Sequence, residues 1–232
     1  FNWESKPIDV GDEVAHSANK ELRFFQLSHT YSIYPKDNTD GEWKVSSPET
    51  TPSMSVAGYF FGKTINQKLK VPVGLIASYW GGTNVQSWMT NEVFENNTEL
   101  KKLADDTKPV NWAPTEPSVI YNSMLHPLVN YKIAGAIWYQ GEANTGEPEA
   151  YGKLFAGMIN GWRKAFNADF PFYFVQIAPW NGYWKNSAAY LREQQASVLS
   201  LPKTGMISVG DLVDNISDIH PRIKKEVGNR LV

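Results

Sequence analysis

Two short polar segments of the sequence carry the residue types that acyl-transfer chemistry needs. Asp218 and His220 lie two positions apart, and a histidine beside a carboxylate is the pair that activates a hydroxyl nucleophile. The alternative is a solvated loop in which the aspartate caps the next helix. Of the four histidines, His126 lies on a helical face and is interpreted as structural.

Glycines and amides supply the second half of that chemistry. Gly81 and Gly82 lack a Cβ, so their backbone N–H groups can approach a ligand closely, as an oxyanion hole requires. A tight turn between a strand and a helix explains the same pair. Gln140 and Asn144 offer side-chain N–H donors, and we interpret Glu142 as an acceptor that fixes its neighbours, with a role as a base as the alternative.

Alternating apolar strands and helices must position these groups. Strands are predicted at residues 22–27, 72–78, 133–139, 172–178 and 206–209, and helices at 55–69, 119–130, 149–166, 188–201 and from Pro221 onward. Residues 28–52 are predicted to be rich in turns. This alternation is typical of a parallel sheet covered on both faces. Ligands bind beyond the carboxyl ends of such strands, where the polar segments lie.

Length and composition exclude several classes of protein. The 232 residues suit one domain, residues 1–232, and the formal charge of −2 comes without a basic stripe, so no nucleic acid or membrane partner is expected. There is no cysteine, the histidines are scattered, and no glycine-rich nucleotide motif follows a strand, so no metal or other cofactor is predicted. The start at Phe1 and the end inside a predicted helix lead us to expect a domain truncated at both ends.

Four segments resemble a known family when they are taken together and in order. They are VPVGLIASYWGGTNVQSWM, MLHPLVNYKIAGAIWYQGEAN, FPFYFVQIAPW and DIHPRIKKEVGNRL. This combination resembles the sialate O-acetylesterase family of SGNH-type carbohydrate esterases. The resemblance implies an α/β fold with three layers, α/β/α, and a mainly parallel flavodoxin-like sheet. It also implies removal of acetyl groups from sialic acid or a related saccharide by a serine–histidine mechanism, and a location outside the cytoplasm.

The resemblance assigns roles to individual residues. Gly82, with Gly81 beside it, matches a backbone oxyanion donor, and Gln140 matches a side-chain donor. His220 matches the general base and Asp218 is its expected acidic partner.

The acidic partner departs from the SGNH pattern. That pattern places an aspartate three residues before the histidine, where this sequence has Ser217, whereas Asp218 is two residues before it. Asp214 and Asp211 therefore remain alternatives.

The nucleophile of the family has no counterpart in this sequence. The family's serine follows the first strand, so we expect it upstream of Phe1, and we reject Ser78 as a substitute. The first strand is central in a flavodoxin-like sheet. We therefore expect a gap between strands 22–27 and 72–78, filled by a second polypeptide or by a segment outside this sequence.

An aromatic loop could bind sugar. Trp180, Tyr183 and Trp184 follow a predicted strand, and their rings either stack on a saccharide or cap the core. Arg192 either pairs with a substrate carboxylate or lies on the surface. The remaining alternatives for the whole chain are a non-catalytic carbohydrate-binding module, an acetylxylan-type esterase, or another ester or thioester hydrolase.

Overall fold

The computed structural model describes residues 6–106 and 109–232. Its strands are β1 (Asn19–Gln26), β2 (Trp43–Ser46), β3 (Val73–Ala77), β4 (Ala136–Tyr139), β5 (Phe172–Val175) and β6 (Thr204–Ile207). Its α-helices are α1 (Val56–Leu69), α2 (Asn91–Glu95), α3 (Thr98–Asp105), α4 (Pro148–Ala165), α5 (Ser187–Ser197) and α6 (Lys225–Arg230).

The strands form two three-stranded sheets, ordered β2-β1-β3 and β4-β5-β6. The pairs β1/β3, β4/β5 and β5/β6 are parallel, and β2 alone of the described strands runs antiparallel to its neighbour. The predicted α/β class with a mainly parallel sheet is therefore confirmed.

The gap in the sheet lies elsewhere than we predicted. Residues 22–26 pair directly with 73–77, and the Leu27 N–H donates to the Ala77 carbonyl at 3.1 Å. The expected gap between these two strands is therefore wrong. Among the described residues, the unpaired sheet edges that face a common cavity belong to β3 and β4. Local apolar patterns predict strands but do not say which strands exchange hydrogen bonds, so the position of the gap was not readable from the sequence.

Helices cover both faces of the β4-β5-β6 sheet. On one face Phe172 and Phe174 pack in the same buried cluster as Phe155 of α4. On the other face Val175 packs in a cluster with Val227 of α6. Alternate residues of a strand point to opposite faces, so the short apolar run of β5 serves both layers. These contacts give the three-layer arrangement.

Helices α1 and α6 approach each other closely beside the gap. Ser55 accepts a hydrogen bond from the Gly58 N–H at 3.2 Å and so caps the start of α1. A Cβ on Gly228 of α6 would stand 2.5 Å from the Ala57 carbonyl oxygen. Because backbone cannot move aside easily, a side chain at position 228 would force the two helices apart.

Three predicted elements differ from the structure. The predicted helix 119–130 is a π-helical turn, Tyr121–Leu125, followed by a 3₁₀ turn, His126–Leu128; Pro127 lacks the N–H that a regular helix would use. Strand β2 lies in the segment predicted to be turns. The last helix begins at Lys225 instead of Pro221, because the Asp9 carboxylate accepts from the Lys224 and Glu226 N–H groups.

Candidate active site

A cavity of about 310 Å³ separates the facing edges of β3 and β4. Strand residues form its apolar walls: Leu75, Ile76, Ala77, Ile137, Trp138 and Tyr139. The predicted site residues Gly81, Gly82, Gln140, Glu142 and His220 also line it. These residues are distant in the chain, and parallel strands bring their carboxyl-terminal loops to one edge.

The glycine pair forms a braced turn at the mouth of the cavity. Gly82 adopts a φ of +76°, in the left-handed region that favours glycine. The Thr83 hydroxyl donates to the Trp80 carbonyl at 2.7 Å and accepts from the Trp88 indole N–H at 2.9 Å. A tight turn is therefore present, and it also presents the Gly82 backbone to the cavity, so the two interpretations of this pair are compatible.

Gln140 holds that turn in place with both of its amide hydrogens. Its Nε2 donates to the Thr83 carbonyl at 3.0 Å and to Asn144 Oδ1 at 2.9 Å. Its Oε1 accepts from the Tyr151 hydroxyl at 3.0 Å. These partners fix the orientation of the amide, because Nε2 faces two acceptors. Gln140 can donate to an oxyanion only if one of these two bonds is released.

Asn144 braces the same loop from within the core. Its Oδ1 accepts from the Val85 N–H at 3.0 Å, and its Nδ2 donates to Gln86 Oε1 at 2.9 Å. The side chain is buried, so it has no direct access to a substrate. The amide cluster after β4 therefore joins two chain-distant loops.

His220 and Asp218 lie side by side on an exposed loop. The His220 backbone N–H donates to Asp218 Oδ1 at 2.8 Å, and Nδ1 of the ring lies 3.5 Å from the same oxygen. The carboxylate therefore fixes the backbone of the loop and lies beside the imidazole ring.

The two alternative acidic partners are already paired with arginines. Asp214 Oδ2 accepts from Arg222 at 2.9 and 2.7 Å, and Asp211 accepts from Arg230 at 2.7 and 2.6 Å. Hydrogen bonds from these guanidinium groups lower the pKa of both carboxyls. Of the three candidates, Asp218 is the one placed beside the histidine.

The aromatic loop supports the histidine loop from behind. The Trp180 indole N–H donates to the Ser217 carbonyl at 3.2 Å, and Asn181 Nδ2 donates to the Ser217 hydroxyl at 3.0 Å. Trp184 is 73% exposed, with Lys185 Nζ lying 4.2 Å from the centroid of its ring. Neither tryptophan is among the residues that line the cavity.

A buried lysine in the cavity wall escaped the sequence analysis. Lys224 is 2% exposed, and its Nζ lies 4.8 Å from the centroid of the Tyr139 ring. Burial lowers the pKa of Lys224 to about 8, against the opposing charges of Glu142 and Asp218. Burial also raises the pKa of the Glu142 carboxyl, partly offset by Lys224. The run RIKKEV resembles any solvated helix start, so it gave no signal.

Two serines line the cavity, and in the described part of the chain neither hydroxyl is hydrogen-bonded to a histidine or a carboxylate. Ser78 Oγ is buried and makes no hydrogen bond to the described residues, which supports its rejection as the nucleophile. Ser55 Oγ caps α1. Arg192 Nη1 is likewise buried without a hydrogen-bond partner in the described part of the chain.

The described residues offer neither a metal-binding cluster nor a membrane-spanning helix. Within residues 6–106 and 109–232, no three histidine, aspartate or glutamate side chains are grouped to hold a metal ion. In the same residues, no helix has the length and apolar character to cross a bilayer.

Comparisons with known proteins identify the family. A family model described as carbohydrate esterase, sialic acid-specific acetylesterase, matches residues 38–232. The sialate O-acetylesterase of Rattus norvegicus is 30% identical over 93% of this chain and 50% of its own length. That of Homo sapiens is 32% identical over 77% of this chain and 38% of its own length. The chain thus spans half or less of the length of these curated relatives.

Solved structures agree with that match. The crystal structure of a carbohydrate acetylesterase from Xanthomonas citri superposes with a TM-score of 0.86 and 33% identity, over 98% of this chain and 51% of that one. The crystal structure of NanS superposes with a TM-score of 0.50 at 10% identity, which supports the fold alone. Because the family model matches most of the sequence, the chain belongs to the sialic acid-specific acetylesterase family of carbohydrate esterases.

Proposed function

We propose that residues 1–232 form one SGNH-type domain of a carbohydrate O-acetylesterase, which removes acetyl groups from sialic acid or a related acetylated saccharide. One observation carries the proposal: Gly82 and His220, which are distant in the chain, line the same cavity. The names of the relatives support the substrate class.

In the first half of the reaction, a serine attacks the acetyl group. His220 takes the hydroxyl proton as Oγ bonds to the carbonyl carbon, and Asp218 stabilises the resulting imidazolium. The Gly82 N–H stabilises the oxyanion, and such a donor is typically worth about 3 kcal/mol in the barrier. Gln140 contributes a second donor if its bond to Thr83 or Asn144 opens, and otherwise positions the Gly82 turn.

The second half of the reaction releases the products. The bond between the carbonyl carbon and the sugar oxygen breaks, and His220 returns its proton to that oxygen. Water then attacks the acetyl-serine, again losing a proton to His220, and acetate departs as the serine hydroxyl re-forms. Asn144 and Glu142 support the loop that carries Gln140 throughout.

The nucleophilic serine is supplied, in this proposal, by an extended segment outside residues 1–232. Strands β3 and β4 turn unpaired edges toward the cavity, and each buried backbone group left unpaired costs about 1–3 kcal/mol. A strand parallel to both would pair with both edges. Its carboxyl end would emerge beside Gly82 and His220, because the carboxyl ends of parallel strands meet at one edge. The segment belongs to a second polypeptide or to a longer form of the same one.

The esterase function is tested by acetate release in the natural protein that contains this chain. Acetylated sialic acids and acetylated xylan serve as substrates, and the sialic acids are expected to be preferred. His220→Ala should abolish release. The matched control is His126→Ala, whose ring bonds the Lys36 carbonyl at 2.9 Å on the protein surface and whose loss should leave the rate unchanged. Full activity in His220→Ala would overturn the proposal.

The source of the nucleophile is tested by covalent labelling. A fluorophosphonate probe reacts with activated serines, and peptide mass spectrometry then locates the label. We expect the label on a serine outside residues 1–232, and its loss in His220→Ala. A label on Ser55 or Ser78 would refute the inserted strand.

The alternatives predict different results in the same assays. A carbohydrate-binding module would bind saccharide and release no acetate. An acetylxylan-type esterase would prefer acetylated xylan, and another ester or thioester hydrolase would act on neither sugar.

The location outside the cytoplasm remains part of the proposal and follows from the family resemblance. Immunodetection in culture medium, periplasmic or lysosomal fractions should find the protein there, and recovery in the cytosol alone would contradict it.

A further inference from the structure

An exposed tryptophan leans against the proposed oxyanion turn. Trp112 is 68% exposed, and its Nε1 lies 2.8 Å from the position that a Cβ on Gly82 would occupy. The missing side chain of Gly82 therefore lets the indole lie directly beside the backbone that faces the acetyl group.

Two further rings pack near Trp80, which precedes the glycine pair and lines the cavity. The His29 and Trp80 rings are stacked, with centroids 4.8 Å apart and planes 11° apart. The Tyr31 ring lies 6.3 Å from Trp80 and is 63% exposed. Exposed aromatic rings such as those of Trp112 and Tyr31 suit the apolar C–H face of a pyranose, which packs on aromatic surface without hydrogen bonds.

The chemistry of the ester places a sugar at this position. In an O-acetyl sugar, two covalent bonds join the carbonyl carbon to the sugar carbon that bears the ester, which in a sialic acid belongs either to the ring or to the short exocyclic chain. If the carbonyl oxygen lies at the Gly82 N–H, the saccharide that carries the ester must lie beside Gly82, with its ring separated from the ester by no more than the short exocyclic chain. Trp112 also lies beside Gly82, so the sugar and the indole would occupy the same space unless they pack against each other.

We propose that Trp112 is the saccharide platform of this site, with Tyr31 extending it. This inference rests on the proposed esterase function for the position of the acetyl group, but it concerns binding of the sugar. The Trp180 ring instead packs against Tyr183, with centroids 5.1 Å apart and planes at 90°, and its N–H donates to the Ser217 carbonyl. Lys185 Nζ lies over the Trp184 ring.

The first test measures binding of the sugar in the absence of the ester. Binding of N-acetylneuraminic acid, the deacetylated product, is measured by titration calorimetry in the natural protein and in three variants. Trp112→Ala should weaken binding at least tenfold, about 1.4 kcal/mol. Trp112→Phe should keep most of the affinity because it retains a flat ring. Trp184→Ala, which removes an equally exposed indole, should change binding less than twofold.

Kinetics on two substrates complete the design. Ethyl acetate is chosen because it has no ring that could stack on the indole. Trp112→Ala should lower kcat/KM for an acetylated sialic acid tenfold and leave ethyl acetate hydrolysis unchanged. Equal losses on both substrates would mean that the indole only shapes the Gly82 turn, and would overturn the inference.

Failure of this inference and failure of the proposed function are distinguishable. If no ester is hydrolysed but Trp112→Ala still weakens sugar binding, the result supports the Trp112 platform and refutes the esterase function. If esters are hydrolysed and Trp112→Ala binds sugar as tightly as the natural protein, the result refutes the Trp112 platform and supports the esterase function.

Discussion

Replacing Gly82 by alanine should destabilise the protein, whereas the same change at Gly81 should not. Gly82 has a φ of +76°, and an L-residue in the left-handed region pays roughly 1–2 kcal/mol. Its new methyl carbon would stand 2.8 Å from Trp112 Nε1. Because that indole is exposed, it can swing aside, so the contact adds little to the cost in stability but displaces the ring.

Gly81 provides the matched control within the same turn. It lies outside the left-handed region, and a Cβ there would meet nothing within 4 Å. Gly81→Ala should therefore change the free energy of unfolding by less than about 0.5 kcal/mol. Urea unfolding followed by circular dichroism measures both variants, and the slope with denaturant should be unchanged.

Catalysis supplies a second measurement of the same pair. If the Gly82 N–H stabilises the oxyanion, displacing it costs up to about 3 kcal/mol, or roughly a hundredfold in kcat for ethyl acetate. Equal destabilisation by Gly81→Ala and Gly82→Ala would contradict this prediction. Unfolding of Gly82→Ala at the same urea concentration as the natural protein would also contradict it.

Three further predictions concern the supporting residues. Asp218→Asn should lower kcat at least about a hundredfold and leave the free energy of unfolding unchanged, whereas Asp214→Asn should leave kcat unchanged. Steady-state kinetics measures both variants, and the reverse pattern would identify Asp214 as the partner of His220. Asn144→Ala should cost about 2–4 kcal/mol in urea unfolding, since it leaves the Val85 N–H unpaired and opens a buried site, and a cost under about 1 kcal/mol would contradict that reading. The pKa of Lys224 is about 8 in the folded protein, against 10.5 for an ordinary lysine. Between these pH values the unfolded chain binds more protons than the folded protein, so the free energy of unfolding rises with pH. The rise from pH 7.5 to 9.5 is about 2 kcal/mol. Lys224→Met should lack this gain in urea unfolding at the two pH values, and an identical gain would assign it to other groups.

The sequence predicted the parts of the fold that depend on local patterns. Continuous apolar runs located β3, β4, β5 and β6, and the order of strands and helices predicted a parallel, two-sided sheet. It could not predict the position of the gap, since pairing joins segments that are far apart in the chain. Strand β2 was missed because its edge residues Trp43 and Val45 are exposed and lack an apolar run.

The candidate site, like the fold, was predictable from the sequence only in part. Residue types and the family resemblance predicted Gly82, Gln140 and His220 as site residues, and all three line one cavity. The sequence did not reveal that both Gln140 hydrogens are used by Thr83 and Asn144, because hydrogen bonds across the fold leave no local signal. The burial of Lys224 was hidden for the same reason.

The division into two sheets has a consequence for folding cooperativity. Leu22 and Phe24 of β1 belong to one buried cluster, whereas β4 and β5 contribute to others, against which Phe25 and Ile76 of the first sheet also pack. Side-chain packing therefore joins the two halves. Among the described strands no pairing crosses the gap, so amide exchange at the facing edges of β3 and β4 would be faster than at β5, which is paired on both sides. A strand bound between them would merge the halves into one cooperative unit. Acquisition of the nucleophile and rigidity of the whole domain would then be a single event.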